Sequence, residues 1–182
     1  MIWTKLYFLC SLLFTSIRHS SPLECLSIDG TIRKNTVDNF FHQIEELRQK
    51  GYYGKIKIHF DTPGGSVLDG MRLLDYIERN HVECSATRAY SMGFVLFQAC
   101  KSRKIEKYGS LMQHDMKLNL QMMDFSNLKS YYKYIKKVYQ ELIEKQIKRI
   151  GISEKKFLSR IKNDWWLDAK DAIYYNCADE II

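Results

Sequence analysis

The sequence predicts one α/β domain with largely parallel strand pairing, and three observations carry that expectation. Runs of alternating apolar and polar residues take turns with stretches of helical periodicity, the pattern of a sheet whose strands are joined by helical crossovers. The chain has 182 residues, enough to enclose a core. It is 46% apolar and 27% charged, with only 2 Pro and 9 Gly. That composition excludes wholesale disorder and collagen-like or low-complexity sequence. After the N-terminus no run of eighteen apolar residues occurs, which excludes a multi-span membrane protein.

Leu23 to Ile28 alternates and ends at Asp29-Gly30, a strand and turn. Thr36 is placed to cap a helix that carries Val37, Phe40, Phe41, Ile44 and Leu47 at helical spacing, with Gly51 where it should stop. Lys55 to Phe60 alternates as a strand, and Val67 to Asn80 repeats Val67, Met71, Leu74 and Ile77 as a helix. Cys84 to Ala89 is a short strand, and Met92 to Cys100 is an apolar, buried helix. Lys104 to Lys107 and Ser110 to His114 read as two strands around Tyr108-Gly109. The longest helix follows, capped by Ser126, striped by Leu128, Tyr132, Ile135, Tyr139, Leu142, Ile143 and Ile147, and closed by Gly151. Glu141–Lys145 and Glu144–Lys148 stand four apart in the favourable order. Ser153 opens a shorter helix, and Asp168 with Asp171 opens the last.

Charge decides less. With 28 Lys+Arg against 21 Asp+Glu, the net charge is +7, but the basic residues are spread out and the densest group follows one helix, as on a solvated face. A nucleic-acid partner is not expected. Cys10, Cys25, Cys84, Cys100 and Cys177 are too few for a disulfide scaffold and lack metal-ligand spacing, so no structural zinc is expected, and the odd count leaves the redox compartment open. Residues 1–21 differ from the rest: Lys5 precedes the apolar stretch Leu6 to Phe14, and Arg18 ends it. They read as a signal peptide or membrane anchor, with 22–182 as the folded domain. The chain is then exported or membrane-anchored, with membrane contact through that segment, and is cytoplasmic otherwise.

Chemistry is expected at three places. Asp61 to Ser66 joins a strand to a helix through Gly64-Gly65, whose amides can face an anion as an oxyanion hole or form an ordinary tight turn. Ser91, in Ala89-Tyr-Ser-Met-Gly93, stands at another strand-to-helix junction, as a nucleophile or as a helix cap. His114 ends a strand, and Asp164 precedes Trp165-Trp166. A serine hydroxyl needs a neutral imidazole to take its proton, and the imidazole needs a carboxylate to fix its tautomer and support its charge. Ser91, His114 and Asp164 supply those three types, though their spacing alone proves nothing.

Together these segments resemble the ClpP family of self-compartmentalised serine peptidases, within the ClpP/crotonase superfamily. Ile58 to Val67 looks like the family's strand and SPGGSV loop, Ala89 to Gly93 like its AASMG motif, and Met112 to Asp115 like its MIHQP motif. Asp164 to Ala172 and Asn176 to Ile181 resemble its C-terminal pattern, so the likeness runs from about Leu26 to Ile182. The resemblance implies a ClpP/crotonase-like spiral of ββα units with a protruding handle helix, from about Ser126 to Ile150. It implies a serine endopeptidase that cleaves polypeptides through an acyl-enzyme, with Ser91 as nucleophile, His114 as base and then acid, and Asp164 orienting the imidazole. The amides of Gly65 and Met92 would form the oxyanion hole. No metal or organic cofactor is implied, and the partners are a polypeptide substrate and copies of the chain in a ring. Three departures stand out. Asp61 precedes the loop. Asp115 to Gln121 lacks the family's Pro and Gly. The hydrophobic N-terminus gives no support to docking of an AAA+ unfoldase. Two alternatives follow: a membrane-associated Ser–Lys protease of the signal-peptide-peptidase kind with Lys133, Lys136 or Lys137 as base, and a non-catalytic ring subunit. A crotonase-type acyl-CoA enzyme is more distant, having no use for this trio.

Overall fold

A computed structural model describes residues 23–118 and 124–182. The segment read as a signal or anchor lies outside the described residues. Among those described, no helix is long and apolar enough to cross a membrane.

The chain runs β1 (Glu24–Asp29), α1 (Lys34–Gln49), β2 (Ile56–Thr62), α2 (Val67–Asn80), β3 (Glu83–Tyr90), α3 (Met92–Ala99), β4 (Ser102–Gln113), α4 (Phe125–Ile150), α5 (Glu154–Ile161), β5 (Trp165–Asp168), α6 (Ala169–Tyr174) and β6 (Glu180–Ile181). β1 to β4 pair in sequence order and in parallel, β5 joins β4 antiparallel, and β6 pairs the start of β4 in parallel. The expected α/β class with mostly parallel pairing is therefore what the described residues form.

Alternation sorts the faces. Along β2, Ile56, Ile58, Phe60 and Thr62 are buried, while Lys57, His59 and Asp61 turn to the more open face. There His59 meets the Ser85 hydroxyl at 2.9 Å and the Thr87 hydroxyl at 3.1 Å. Beneath the apolar face lies α3, every residue of which from Met92 to Gln98 is buried. That explains its apolar content all round: it packs among β3, α2 and α4, with no side left for water.

Several boundaries differ from the sequence expectation. Arg33, not Thr36, stands at the α1 N-cap, and the Thr36 hydroxyl donates to the Thr31 carbonyl instead. The two strands expected around Tyr108-Gly109 are one continuous β4, its pairing with β3 shifting between Ala86 and Arg88. A side chain at Gly109 would press on Ile105 and the Ala86 carbonyl, so this glycine marks close packing and not a turn. α4 begins at Phe125 behind Asp124, not behind Ser126, and without a side-chain cap. Lys145 reaches across to Glu78 at 2.8 Å and stands 3.9 Å from Glu141. Gly151 ends α4 in the left-handed conformation and Asp168 caps α6 through the Asp171 amide, as expected.

Two features tie the fold together beyond apolar burial. The first is a disulfide between Cys84 on β3 and Cys100 after α3, whose Cα atoms lie 5.9 Å apart. The cysteine count gave no sign of it, because pairing depends on proximity across β3 and α3. By loop-closure entropy, a bond spanning this separation stabilises by about 3 kcal/mol. Chemical denaturation of oxidised wild type against Cys84→Ala/Cys100→Ala is expected to show a loss of that size. Equal midpoints would mean that the bond does not form in the folded protein.

The second is Arg103, 1% exposed at the start of β4. Its guanidinium donates to Asp179, to the Gln98 amide oxygen at 2.6 Å and to the Asn176 carbonyl at 2.9 Å, joining α3 to the C-terminal loop. Burial pushes the Asp179 carboxyl upward. The Arg103 hydrogen bonds and charge, with Arg149 beside them, outweigh that and hold it below its ordinary value. A depressed folded-state carboxyl adds stability above its unfolded value, and that stability is lost as the pH falls through the folded one. Asp179→Asn is thus expected to flatten the fall in stability below about pH 4. Parallel acid-unfolding profiles for variant and wild type would contradict this.

Candidate active site

Two strand-to-helix junctions and one strand end form the site. At the first, the Thr62 hydroxyl donates to the Gly30 carbonyl at 2.6 Å and accepts from the Gly64 amide at 3.0 Å, pinning the loop to the β1 turn. Ile32 braces it from the other side: its amide donates to the Gly64 carbonyl at 2.8 Å, and its carbonyl accepts from the Ser66 amide at 2.8 Å. Gly64 and Gly65 have φ of +89° and +150°. A Cβ at Gly64 would lie 2.5 Å from the Tyr90 carbonyl oxygen, and one at Gly65 would overlap the Ile32 carbonyl. Only glycine allows this approach. Asp61, unexpected before the loop, pairs with Arg88, which holds its carboxyl below the usual range.

At the second junction, Ser91 carries β3 into α3. Its amide donates to the Met112 carbonyl at 2.8 Å, so sheet pairing extends to the serine itself. Its φ of +53° with ψ of −118° is costly for a residue with a Cβ and is held by β3 on one side and the buried α3 on the other. Ser66 caps α2 through the Asp69 amide, but Ser91 makes no side-chain cap bond to α3. The helix-cap reading of Ser91 is therefore not what the structure holds, and its hydroxyl is left for other partners. The Met92 amide, first in α3, has no acceptor within the helix. Among the described residues the Gly65 amide has none either.

His114 follows β4. Its Nδ1 lies 2.6 Å from the Asp115 carbonyl oxygen. A carbonyl only accepts, so Nδ1 bears the proton and Nε2 presents a lone pair, the tautomer a general base requires. Ser91, Met92, Gly65 and His114 line one cleft of about 140 Å³ with apolar walls from Val67, Val95, Leu142 and Ile143. No hydrogen bond joins Ser91 to His114 among the described residues; such bonds are often long without substrate.

Asp164 is not brought into this cleft. It is exposed, has φ of +50°, and makes no hydrogen bond to His114 among the described residues. Lys133, Lys136 and Lys137 are also absent from the cleft lining, whereas Lys117 is part of it. Among the described residues no three His, Cys, Asp or Glu side chains gather as a metal site. Sequence reasoning missed Gln113, Gln146 and Tyr139, all lining the cleft. A signal was present: Gln146 interrupts the apolar stripe of α4 beside Leu142 and Ile143.

The site is a serine on a strained strand-to-helix elbow that shares an apolar cleft with a histidine, in an α/β domain whose first four strands pair in parallel. Residues 22–182 match the model of the Clp protease family, and the chain belongs to that family. It is similar to the ATP-dependent Clp protease proteolytic subunit of Borreliella afzelii (strain PKo), 24% identical over 162 residues that cover 85% of this chain and 81% of that one. It is equally similar to ATP-dependent Clp protease proteolytic subunit 1 of Borreliella burgdorferi, at 24% identity over 85% of this chain and 82% of that relative. Membership suggests a Clp-type peptidase.

Proposed function

We propose that the chain is a serine endopeptidase that hydrolyses polypeptides through an acyl-enzyme on Ser91, as a member of a ring of like subunits. The observation that carries this reading is the Ser91 elbow. Its hydroxyl makes no cap bond and stands at the N-terminus of a buried helix, in one cleft with His114 and with the amides of Gly65 and Met92. His114 takes the serine proton at Nε2 and returns it to the leaving amine, and the two amides receive the oxyanion. Asp164 is the orienting carboxylate. It has to close on Nδ1, which now bonds to the Asp115 carbonyl. The similarity to ATP-dependent Clp protease proteolytic subunits supports a proteolytic subunit. Residues 1–21 act as a signal or anchor.

The test is treatment of the full chain with a fluorophosphonate probe, with peptide mapping and size-exclusion chromatography of the same sample. An adduct on Ser91 in a large-assembly fraction is the expected result. No adduct in any fraction would overturn the catalytic reading. It would favour a non-catalytic ring subunit, a second reading that rests on the separation of Asp164 from His114.

A further inference from the structure

We infer that helix α4 positions the general base: Gln146, reaching from α4 to Gln113, holds the chain at His114 and so helps fix its imidazole. The inference rests on the serine-peptidase reading above and names residues that reading does not use.

On one side, the His114 amide donates to the Gln113 side-chain oxygen at 3.2 Å. The Gln113 amide nitrogen donates to the Gln146 side-chain oxygen, and the Gln146 nitrogen donates to the Leu142 carbonyl at 2.8 Å. Gln113 is 5% exposed and Gln146 2%, so the relay runs through the core from helix backbone to His114. A buried amide pair of this kind specifies one arrangement, because any other leaves polar groups unpaired. On the other side, the Asp115 carboxylate accepts from the Met116 amide at 2.8 Å. The Asp115 amide donates to the Ile161 carbonyl at 3.1 Å, and the Asp115 carbonyl is the acceptor for His114 Nδ1. The imidazole is therefore held through its neighbours, from α4 through Gln113 and from the Ile161 carbonyl through Asp115. Asp115, which departs from the family pattern, acquires a role here: its carbonyl sets the tautomer, and its amide ties that carbonyl to Ile161 at the end of α5.

The test compares wild type with Gln146→Met and the pair Gln113→Leu/Gln146→Met, all as full chains. The pair removes the side-chain relay without stranding half of it, so its thermal midpoint should return toward wild type. Two readouts are taken: the rate of fluorophosphonate labelling at Ser91, and the ring resonance of His114 with histidine isotopically labelled, assigned from the loss of one signal in His114→Gln. Labelling is expected to slow between about tenfold and a hundredfold in Gln146→Met and in the folded pair, the loss that a misplacement of about 1 Å produces. The His114 resonance should shift or broaden in both. A purely structural role would restore labelling together with stability in the pair. Unchanged His114 resonances in both variants would overturn the inference whether or not wild type labels. Failure of wild type to label, with the His114 signal still moved by both variants, would overturn only the peptidase reading.

Discussion

Ser91→Ala is expected to reduce peptide hydrolysis by about a millionfold while leaving assembly and thermal stability near wild type. The magnitude follows from removing one member of a unit that acts together: losing the nucleophile or the base costs nearly as much as losing both. What remains is the effect of binding and of the Gly65 and Met92 amides, about a thousandfold to ten-thousandfold over water. The stability expectation comes from the site. The Ser91 side chain makes no cap bond to α3, and its backbone is held by the Met112 carbonyl and the neighbouring elements. Steady-state hydrolysis of a short fluorogenic peptide, with a melting curve on the same sample, checks both. Retained turnover would remove Ser91 from the chemistry, and a collapsed melting transition would show its hydroxyl to be structural.

Asp164→Asn is expected to lower the rate by about three to four orders of magnitude with little effect on KM, since the loss falls on imidazolium stabilisation and not on binding. The geometry makes this a demanding prediction. In the structure the Asp115 carbonyl already fixes the His114 tautomer. A carbonyl can fix a tautomer but carries no full charge to balance an imidazolium, which forms as the serine attacks. If Asp164 supplies that charge, this exposed residue just before β5 has to shift toward His114 during turnover or assembly. A fall of less than tenfold would show that Asp115 alone orients the base.

Much of the fold was legible because its elements carry clear periods. β2 alternates cleanly, α2 repeats every three to four residues, and α3 is apolar throughout because it is enclosed. β5 and β6 were missed, at four and two residues each, too short for a period to appear. Tyr108-Gly109 suggested a break, but Gly109 lies where β4 crowds β3. The site was legible as types and order, and the elbow and glycine loop appear where the motifs lie. Relative placement was not: the separation of Asp164 from His114, the carbonyl that sets the tautomer, and the glutamine relay all depend on how α4 and α5 dock. No local pattern encodes that.

The Cys84–Cys100 bond has a consequence for the elbow itself. Ser91 lies between the two bonded residues, so it rides inside a covalent macrocycle formed by nearly all of β3 and the whole of α3. The strained backbone at Ser91 is thereby closed off from much of the unfolded freedom into which it would otherwise relax. Local fraying of the sheet cannot separate the strand that delivers the serine from the helix whose amide faces it. Where thiols are kept reduced, packing alone must hold the same turn, so the rigidity of the turn at Ser91 is set by the electron supply of the surroundings in which the chain matures.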